Sequence, residues 1–378
     1  MHVLMSKNTP VCRFDLSTGD FTVLSEAFMP YNLHLTFENG GMQEKVANIN
    51  AFHHWCADRV LSLDRRYAKQ ILNELGLPQS QSDSVKAKIS MACRSISLQD
   101  CFWVKEEGDS ITWDDVNLFT HHFSDALIPV ALRGGSATIR NKHWRDISQE
   151  LSTHGTFAKA WSRVDDQIVL YKADDVCGNE TLREVNASRI LDCFDIPHVR
   201  YVLDEYDGKR VSVCACMTDE QTSIVPFRHF QEWCYHQKKN AIEEVKQIDA
   251  DGYYKMNVMT YLIGNSDNHD GNWGFYRDNE TGKLTALHPL FDFNYAFDNY
   301  STPDGGICIP ECITFFGQDE EDGELSFQAT KTQKKAALEA MQNVTITQLK
   351  PVTADMFLSE ADFEVFQERC RELGLRLI

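Results

Sequence analysis

The rhythm of apolar and polar positions changes three times along this chain. Over the first 35 residues short apolar runs alternate with turn formers ("RFDLSTGDFTVLSEAFMP"). This predicts a small sheet with a hairpin turn at Ser17-Thr18-Gly19-Asp20. From "NINAFHHWCADRVLS" through "RRYAKQILNELGL" to "SDSVKAKISMACRSISL" the spacing turns helical. Gly76 and Pro78 end one helix, and Ser82 or Asp83 starts the next. After "RGGSATIRNKHWRD" a second pattern begins: a loop ("STHGTFAKAW"), a strand ("QIVLYKA"), a helix ("NETLREVNASRILDCFDI") and a hairpin ("HVRYVLDEYDGKRVSVCACM"). In that helix Ala187, Ile190, Leu191 and Phe194 fall at i, i+3, i+4 and i+7 and share a face, while Thr181 and Glu184 have capping-box spacing. From the "FRHFQEWCYHQKKNAIEEVKQI" and "GYYKMNVMTYLIG" segments onward the chain reads as mostly helical, with later helices near 330–342 and 359–373. A strand pair split by the "DNETGK" turn interrupts it.

These patterns divide the 378 residues into an α+β region over 1–140, an α+β lobe over 141–222 and a mostly helical lobe over 223–378. The length suits two or three domains. With 43% hydrophobic, 11% aromatic and 25% charged residues the chain is an ordinary globular one. Lys and Arg number 37 against 56 Asp and Glu, and the net charge of −19 would repel a phosphate backbone over most of the surface. Direct nucleic-acid binding is therefore disfavoured, whereas a local pocket for a small anion is not. No run approaches the roughly 20 apolar residues of a membrane span, and "MHVLMSKNTPVCRFDL" has no apolar core of secretory length. The 12 cysteines are expected as free thiols in the cytoplasm. Cys214, Cys216, Cys308 and Cys312 lack the spacing of paired zinc ligands.

Chemistry concentrates in "GNSDNHDGNWGF", Gly264 to Phe275. Asp267 and Asn272 are five positions apart, and Asp292 follows between Phe291 and Phe293. Two oxygen ligands and one further carboxylate suit a Mg²⁺–triphosphate complex. Protein kinases place an Asp and an Asn at D-x-x-x-x-N, the Asp orienting the substrate hydroxyl and the Asn holding metal, with a later Phe-flanked Asp on the other Mg²⁺. Here "DNHDGN" and "LFDFN" repeat those offsets. Lys172, at the end of "IVLYKAD", is the candidate for the ATP phosphates, with Glu184 on the following helix as its candidate partner. Upstream, "THGTFAKAW" supplies a candidate phosphate-covering loop with Gly155, Thr156 and Lys159.

Each residue also has a plainer role. Glu184 can cap its own helix, Lys172 can be an edge-strand charge, and His269 can brace the loop through a backbone carbonyl. Asp270 reads as a solvated turn residue, and the acidic run Asp319 to Glu324 as an exposed loop. Trp103 and Trp113 read as packing.

Taken together, "LIGNSDNHDGNWGF … ALHPLFDFNYAF" and "GTFAKAW … VLYKAD … EVNASRIL" resemble the HipA-type serine/threonine kinases over roughly residues 145–345. The resemblance implies a bilobal protein-kinase-like fold, distantly similar to phosphoinositide kinases, with an additional N-terminal α+β region. It implies Asp267 as the catalytic Asp, Asn272 and Asp292 as Mg²⁺ ligands, Lys172 as the ATP lysine, and ATP and Mg²⁺ as cofactors. It further implies a protein substrate with a Ser/Thr acceptor, an antitoxin or other regulatory protein as partner, and a bacterial toxin–antitoxin setting. By the same resemblance a residue of the phosphate loop is a site of autophosphorylation, with Ser152, Thr153 and Thr156 as the nearest equivalents. Asn268 stands where the family usually has Arg. Two alternatives remain: a kinase for a lipid headgroup or other small molecule, and a pseudokinase or nucleotide-dependent binding module.

Overall fold

The computed structural model describes residues 1–38, 40–121, 127–134, 150–153, 155–174, 178–300 and 325–378. The chain divides into two compact units: Met1–Lys172 with Cys216–Ile224 and Arg277–Leu284, and Ala173–Ala215 with Val225–Tyr276 and Thr285–Ile378. Cys308, Cys312, the Asp319–Glu324 run and most of the stretch between Arg133 and Asp146 lie outside the described residues.

In the first unit four antiparallel strands, β1 (His2–Ser6), β2 (Thr9–Asp15), β3 (Asp20–Val23) and β4 (Phe102–Glu106), pair in the order β3-β2-β1-β4. The predicted hairpin turn joins β2 to β3 in the register Asp15↔Asp20. Residues of a strand alternate between faces, and both faces of β1 are used. Leu4 joins Phe14, Phe52, Trp55 and Phe102 in one cluster. Val3 and Met5 join Trp103, Trp113, Leu98 and Ile168 in the other. A register shift between Leu4 and Met5 makes a bulge opposite, which is why the neighbours Val11 and Cys12 enter the same cluster.

Helices α1 (Met42–Ala57) and α3 (Asp83–Ala92) cover the first cluster with Phe52, Trp55 and Ala87. The shorter α2 (Ala68–Glu74) and α4 (Ile128–Arg133) complete the helical part of this unit. Trp103 and Trp113 are core residues, as their pattern suggests. Strand β4 is a finding the sequence pattern missed: "FWVKE" reads as a packing segment until β1 is seen to need a second neighbour. Two strands of the next segment, β5 (Lys159–Val164) and β6 (Gln167–Ala173), form a hairpin in the register Lys159↔Lys172. The expected loop over "STHGTFAKAW" therefore ends at Lys159, because pairing with β6 draws Lys159 onward into strand.

A buried ion pair ties α1 to the start of β4. Arg59, just past α1, donates from Nη1 and Nη2 to both Asp100 carboxylate oxygens at 2.8 and 2.7 Å, from Nε to the Ser95 carbonyl at 2.6 Å, and stacks 4.6 Å from the Trp55 ring. Burial alone would lower the guanidinium pKa, and Asp100 reverses this so that it stands above its ordinary value.

The second unit opens with α5 (Glu180–Leu191), whose Ala187, Ile190 and Leu191 are fully buried as their spacing predicts. Strands β7 (Tyr201–Tyr206) and β8 (Lys209–Ala215) follow as a hairpin about Asp207 and Gly208, both at positive φ. Then come β9 (Thr222–Pro226), α6 (Phe227–His236), α7 (Ala241–Leu262), β10 (Gly274–Asp278), β11 (Leu284–Leu287), α8 (Leu325–Ala340) and α9 (Glu360–Glu372). Helices α8 and α9 pack on α7.

The stretch "FRHFQEWCYHQKKNAIEEVKQI" holds α6 and the start of α7. Lys238 takes φ +55 and Asn240 caps α7 by accepting the Glu243 N–H at 3.2 Å. Inside α7 Asp249 leaves helical geometry, and its carboxylate accepts the N–H of Gly252 and of Leu287, each at 2.9 Å. Among the described residues no helix is long and apolar enough to cross a membrane, and the nine described cysteines are free thiols.

Two predictions follow from this packing. Arg59→Met leaves the Asp100 carboxylate in the interior without its guanidinium and should cost about 3–5 kcal/mol of unfolding free energy, read from urea titrations. His288 is buried, which lowers its pKa to about 4. It stays neutral when folded but is protonated below pH 6.5 when unfolded, so stability present above pH 6.5 should fall as pH drops through about 4. The loss should be on the order of 3 kcal/mol, and His288→Gln should flatten that limb of the pH–stability curve.

Candidate active site

The loop Asn265–Asn272 is built from the end of α7. Gly264 takes φ +60 as the residue after the helix C-cap, its N–H reaching the Tyr261 carbonyl and the Asn265 N–H reaching Thr260, both at 3.2 Å. A Cβ at Gly264 would lie 2.5 Å from the Tyr300 ring and 2.7 Å from Asn299 Oδ1. Only glycine satisfies both the dihedral and the space there.

Asn265 then acts as a hub. Its Oδ1 accepts the Asp267 N–H at 3.2 Å, its Nδ2 donates to the Asp292 carbonyl at 3.2 Å, and its own carbonyl accepts from Gln333 Nε2 at 3.0 Å. Ser266 donates to Asp298 at 2.9 Å, and Asp298 in turn accepts from Arg183 of α5 at 3.0 Å. Asn268 donates to Thr260 Oγ1 at 3.0 Å and so braces the loop against its own helix. The loop closes on itself where Asn272 Nδ2 donates to the Asp267 carbonyl at 2.8 Å.

Asp292 arrives from the other side of the strand pair. It sits at φ +60, a backbone state that Asp tolerates better than most residues. Its N–H donates to the Tyr201 hydroxyl at 3.1 Å. Asp267, Asn272 and Asp292 are all buried. Asp267 and Asp292 both act on the imidazole of His269. Burial depresses its imidazole pKa, but Asp270, Asp267 and Asp292 more than offset this and leave it raised. His269 Nδ1 also accepts the Gly271 N–H at 3.0 Å, so it braces the turn. Asp267 and Asp292 carry carboxylate oxygens and Asn272 an amide oxygen whose nitrogen is already engaged, and oxygens are the donors a hard divalent ion such as Mg²⁺ takes.

Glu184 is buried on α5 and accepts from Ser212 Oγ of β8 at 2.5 Å. The capping box expected with Thr181 does not form. Asn179 is the N-cap residue, the Thr181 N–H goes to Asp174 at 2.9 Å, and Thr181 Oγ1 accepts from Arg210 at 2.9 Å. With those groups taken, Glu184 turns inward.

The remaining candidates belong to the first unit. Lys159 and Lys172 are cross-strand partners in β5 and β6, and both are buried. Residues directly opposite in an antiparallel pair present their side chains on one face. Gly155, at φ +96, lies so close to the lysine that a Cβ there would meet Lys159 Nζ at 2.5 Å. Among the hydroxyls, Ser152 is buried and bonded to Ser97 and Glu150, Thr153 Oγ1 accepts from Trp161 at 2.8 Å, and Thr156 is exposed. Sequence spacing did not single out Asn265, Arg183, Asp298 or Gln333. Asn265 and Ser266 stand inside the quoted loop, but their long-range partners leave no sequence signal.

No family model matches the chain, and no curated protein does. Among solved structures it is similar to the HipA of Shewanella oneidensis MR-1, in a structure with HipB and operator DNA, with a TM-score of 0.53 and 11% identity over 99% of this chain and 98% of that one. It also matches the Helicobacter pylori proinflammatory kinase CtkA, with a TM-score of 0.39 and 17% identity over 58% of this chain and 89% of that one. The fold is thus the α+β, kinase-like fold of HipA, as the sequence resemblance leads one to expect.

Removing the hub should be felt in stability. Asn265→Ala deletes two buried hydrogen bonds and is expected to cost about 2 kcal/mol in urea unfolding, against about 0.5 kcal/mol or less for Asp270→Ala in the same loop.

Proposed function

We propose that the chain is an ATP- and Mg²⁺-dependent HipA-like serine/threonine protein kinase, a toxin of a toxin–antitoxin module or a relative of one. The observation that carries this reading is the buried loop holding Asp267 and Asn272, tied through Asn265 to the Asp292 turn, within a HipA-like fold. In this reading Asp267 orients the acceptor hydroxyl and takes up its proton. Asn272 and Asp292 would hold Mg²⁺, which when bound neutralises phosphate charge. Lys172 and Lys159 contribute positive charge to the phosphates, and Gly155 and Thr156 offer backbone N–H groups to them. Strongly acidic overall, the chain would meet a basic face on a regulatory protein more readily than it would meet DNA. The HipA structure it is similar to contains HipB as well as operator DNA.

Incubation with γ-labelled ATP and Mg²⁺ should label the protein on a hydroxyl of the 152–156 segment, with exposed Thr156 favoured over buried Ser152. Asp267→Ala should reduce that labelling by about 10²–10⁴-fold. A magnesium-dependent thermal shift with ATP but no label on any protein would favour a small-molecule or lipid kinase, or a nucleotide-dependent binding module. No shift would overturn the kinase reading.

A further inference from the structure

One side chain from the N-terminal region reaches the phosphate-loop candidate. Arg65 stands in the turn between α1 and α2. Its Nη2 donates to the Lys159 carbonyl and its Nη1 to the Thr153 carbonyl at 3.4 Å, while the backbone N–H of Arg66 donates to the Thr156 carbonyl at 2.8 Å. Two consecutive residues thus take up the carbonyls at both ends and in the middle of the segment that contains Gly155.

The turn that presents them is itself well held. Ser62 Oγ donates to the Asp64 carboxylate at 3.0 Å and accepts the Asp64 N–H at 3.2 Å. Tyr67 sits at φ +62 with its ring packed on Gly134, where a Cβ would come within 2.6 Å of the ring carbons.

Arg65 is 6% exposed and lines a cavity of about 40 Å³ together with Leu61, Glu150, Thr153, Lys159 and Trp161. Its hydrogen bonds go to neutral carbonyls. Burial lowers its pKa to about 10, with Glu150 opposing the shift. A buried cation with such partners is costly to keep, and what it obtains in return is a hold on the carbonyls of Thr153 and Lys159. Arginine suits this because its planar fork can span two carbonyls at once, whereas lysine is a point donor.

We propose that Arg65 is a positioning residue for the segment 155–159, holding Gly155 and Lys159 in the conformation that receives a nucleotide phosphate. The nucleotide half of this statement rests on the kinase reading; the loop half does not.

Hydrogen exchange on the ligand-free full chain tests the loop half. Arg65→Gln should accelerate exchange of the amides at 155–159 while leaving β1 and β2 protected, and Arg65→Lys should fall between the two. Titration with Mg²⁺–ATP tests the other half: Arg65→Gln should raise the dissociation constant about tenfold, with partial rescue in Arg65→Lys. Unchanged loop exchange and unchanged affinity beside a merely lowered melting temperature would overturn the proposal. Should Arg65→Gln fail to fold, Arg65→Lys, which keeps the charge and the stem, carries the same comparison. If the wild-type protein binds no Mg²⁺–ATP, the kinase reading falls, and the exchange data still decide whether Arg65 holds the loop.

Discussion

The left-handed turn at Gly264 is the constraint on which the second unit's chemistry depends. It ends α7 abruptly and turns Asn265 so that one side chain meets both the Asp267 amide and the Asp292 carbonyl. Behind it stands a polar chain running to the end of the protein: Asn265 to Gln333 on α8, Gln333 to Asn299, and Asn299 to Arg369 on α9. Arg369 is buried between the Tyr261 and Tyr300 rings at 4.7 and 4.5 Å, and also donates to the Tyr261 carbonyl at 2.6 Å. Burial holds its pKa below the ordinary arginine value, yet every donor direction named here has a carbonyl or amide oxygen in it. Polar networks of this kind fix one arrangement because each member left unsatisfied would be expensive.

Charge is distributed to match. A chain of net charge −19 places two lysines side by side on the β5–β6 hairpin, where like charges directly opposite are unfavourable in a sheet. It gathers carboxylates about His269 in the other unit, strongly enough to raise an imidazole that burial would depress. Local concentrations of each sign that run against packing preference are common at functional sites.

Features that depend on neighbours in sequence were legible, and features that depend on distant ones were not. The hairpin turns at Gly19 and Gly208 and the apolar face of α5 all rest on short-range chemistry. Strand β4 could not be read because its partner β1 lies about a hundred residues away in the chain. The Thr181–Glu184 box failed for a like reason. Asp174 and Arg210 took the groups it needed, and neither is part of the capping pattern. Lys159 was assigned to the loop since nothing in "GTFAKAW" announces pairing with β6.

Asn268, where the sequence resemblance leads one to expect arginine, is held by local geometry. An arginine in this position offers charge and a long reach; asparagine offers neither. Here Thr260 on the last turn of α7 supplies the nearby acceptor, and the short amide meets it at 3.0 Å. Together with the Ser266–Asp298–Arg183 chain, this anchors the loop on both flanks of Asp267 without a cation inside it. Neutral and short, Asn268 thus supports the loop by a hydrogen bond to the helix from which the loop issues, where the resemblance leads one to expect a charged side chain.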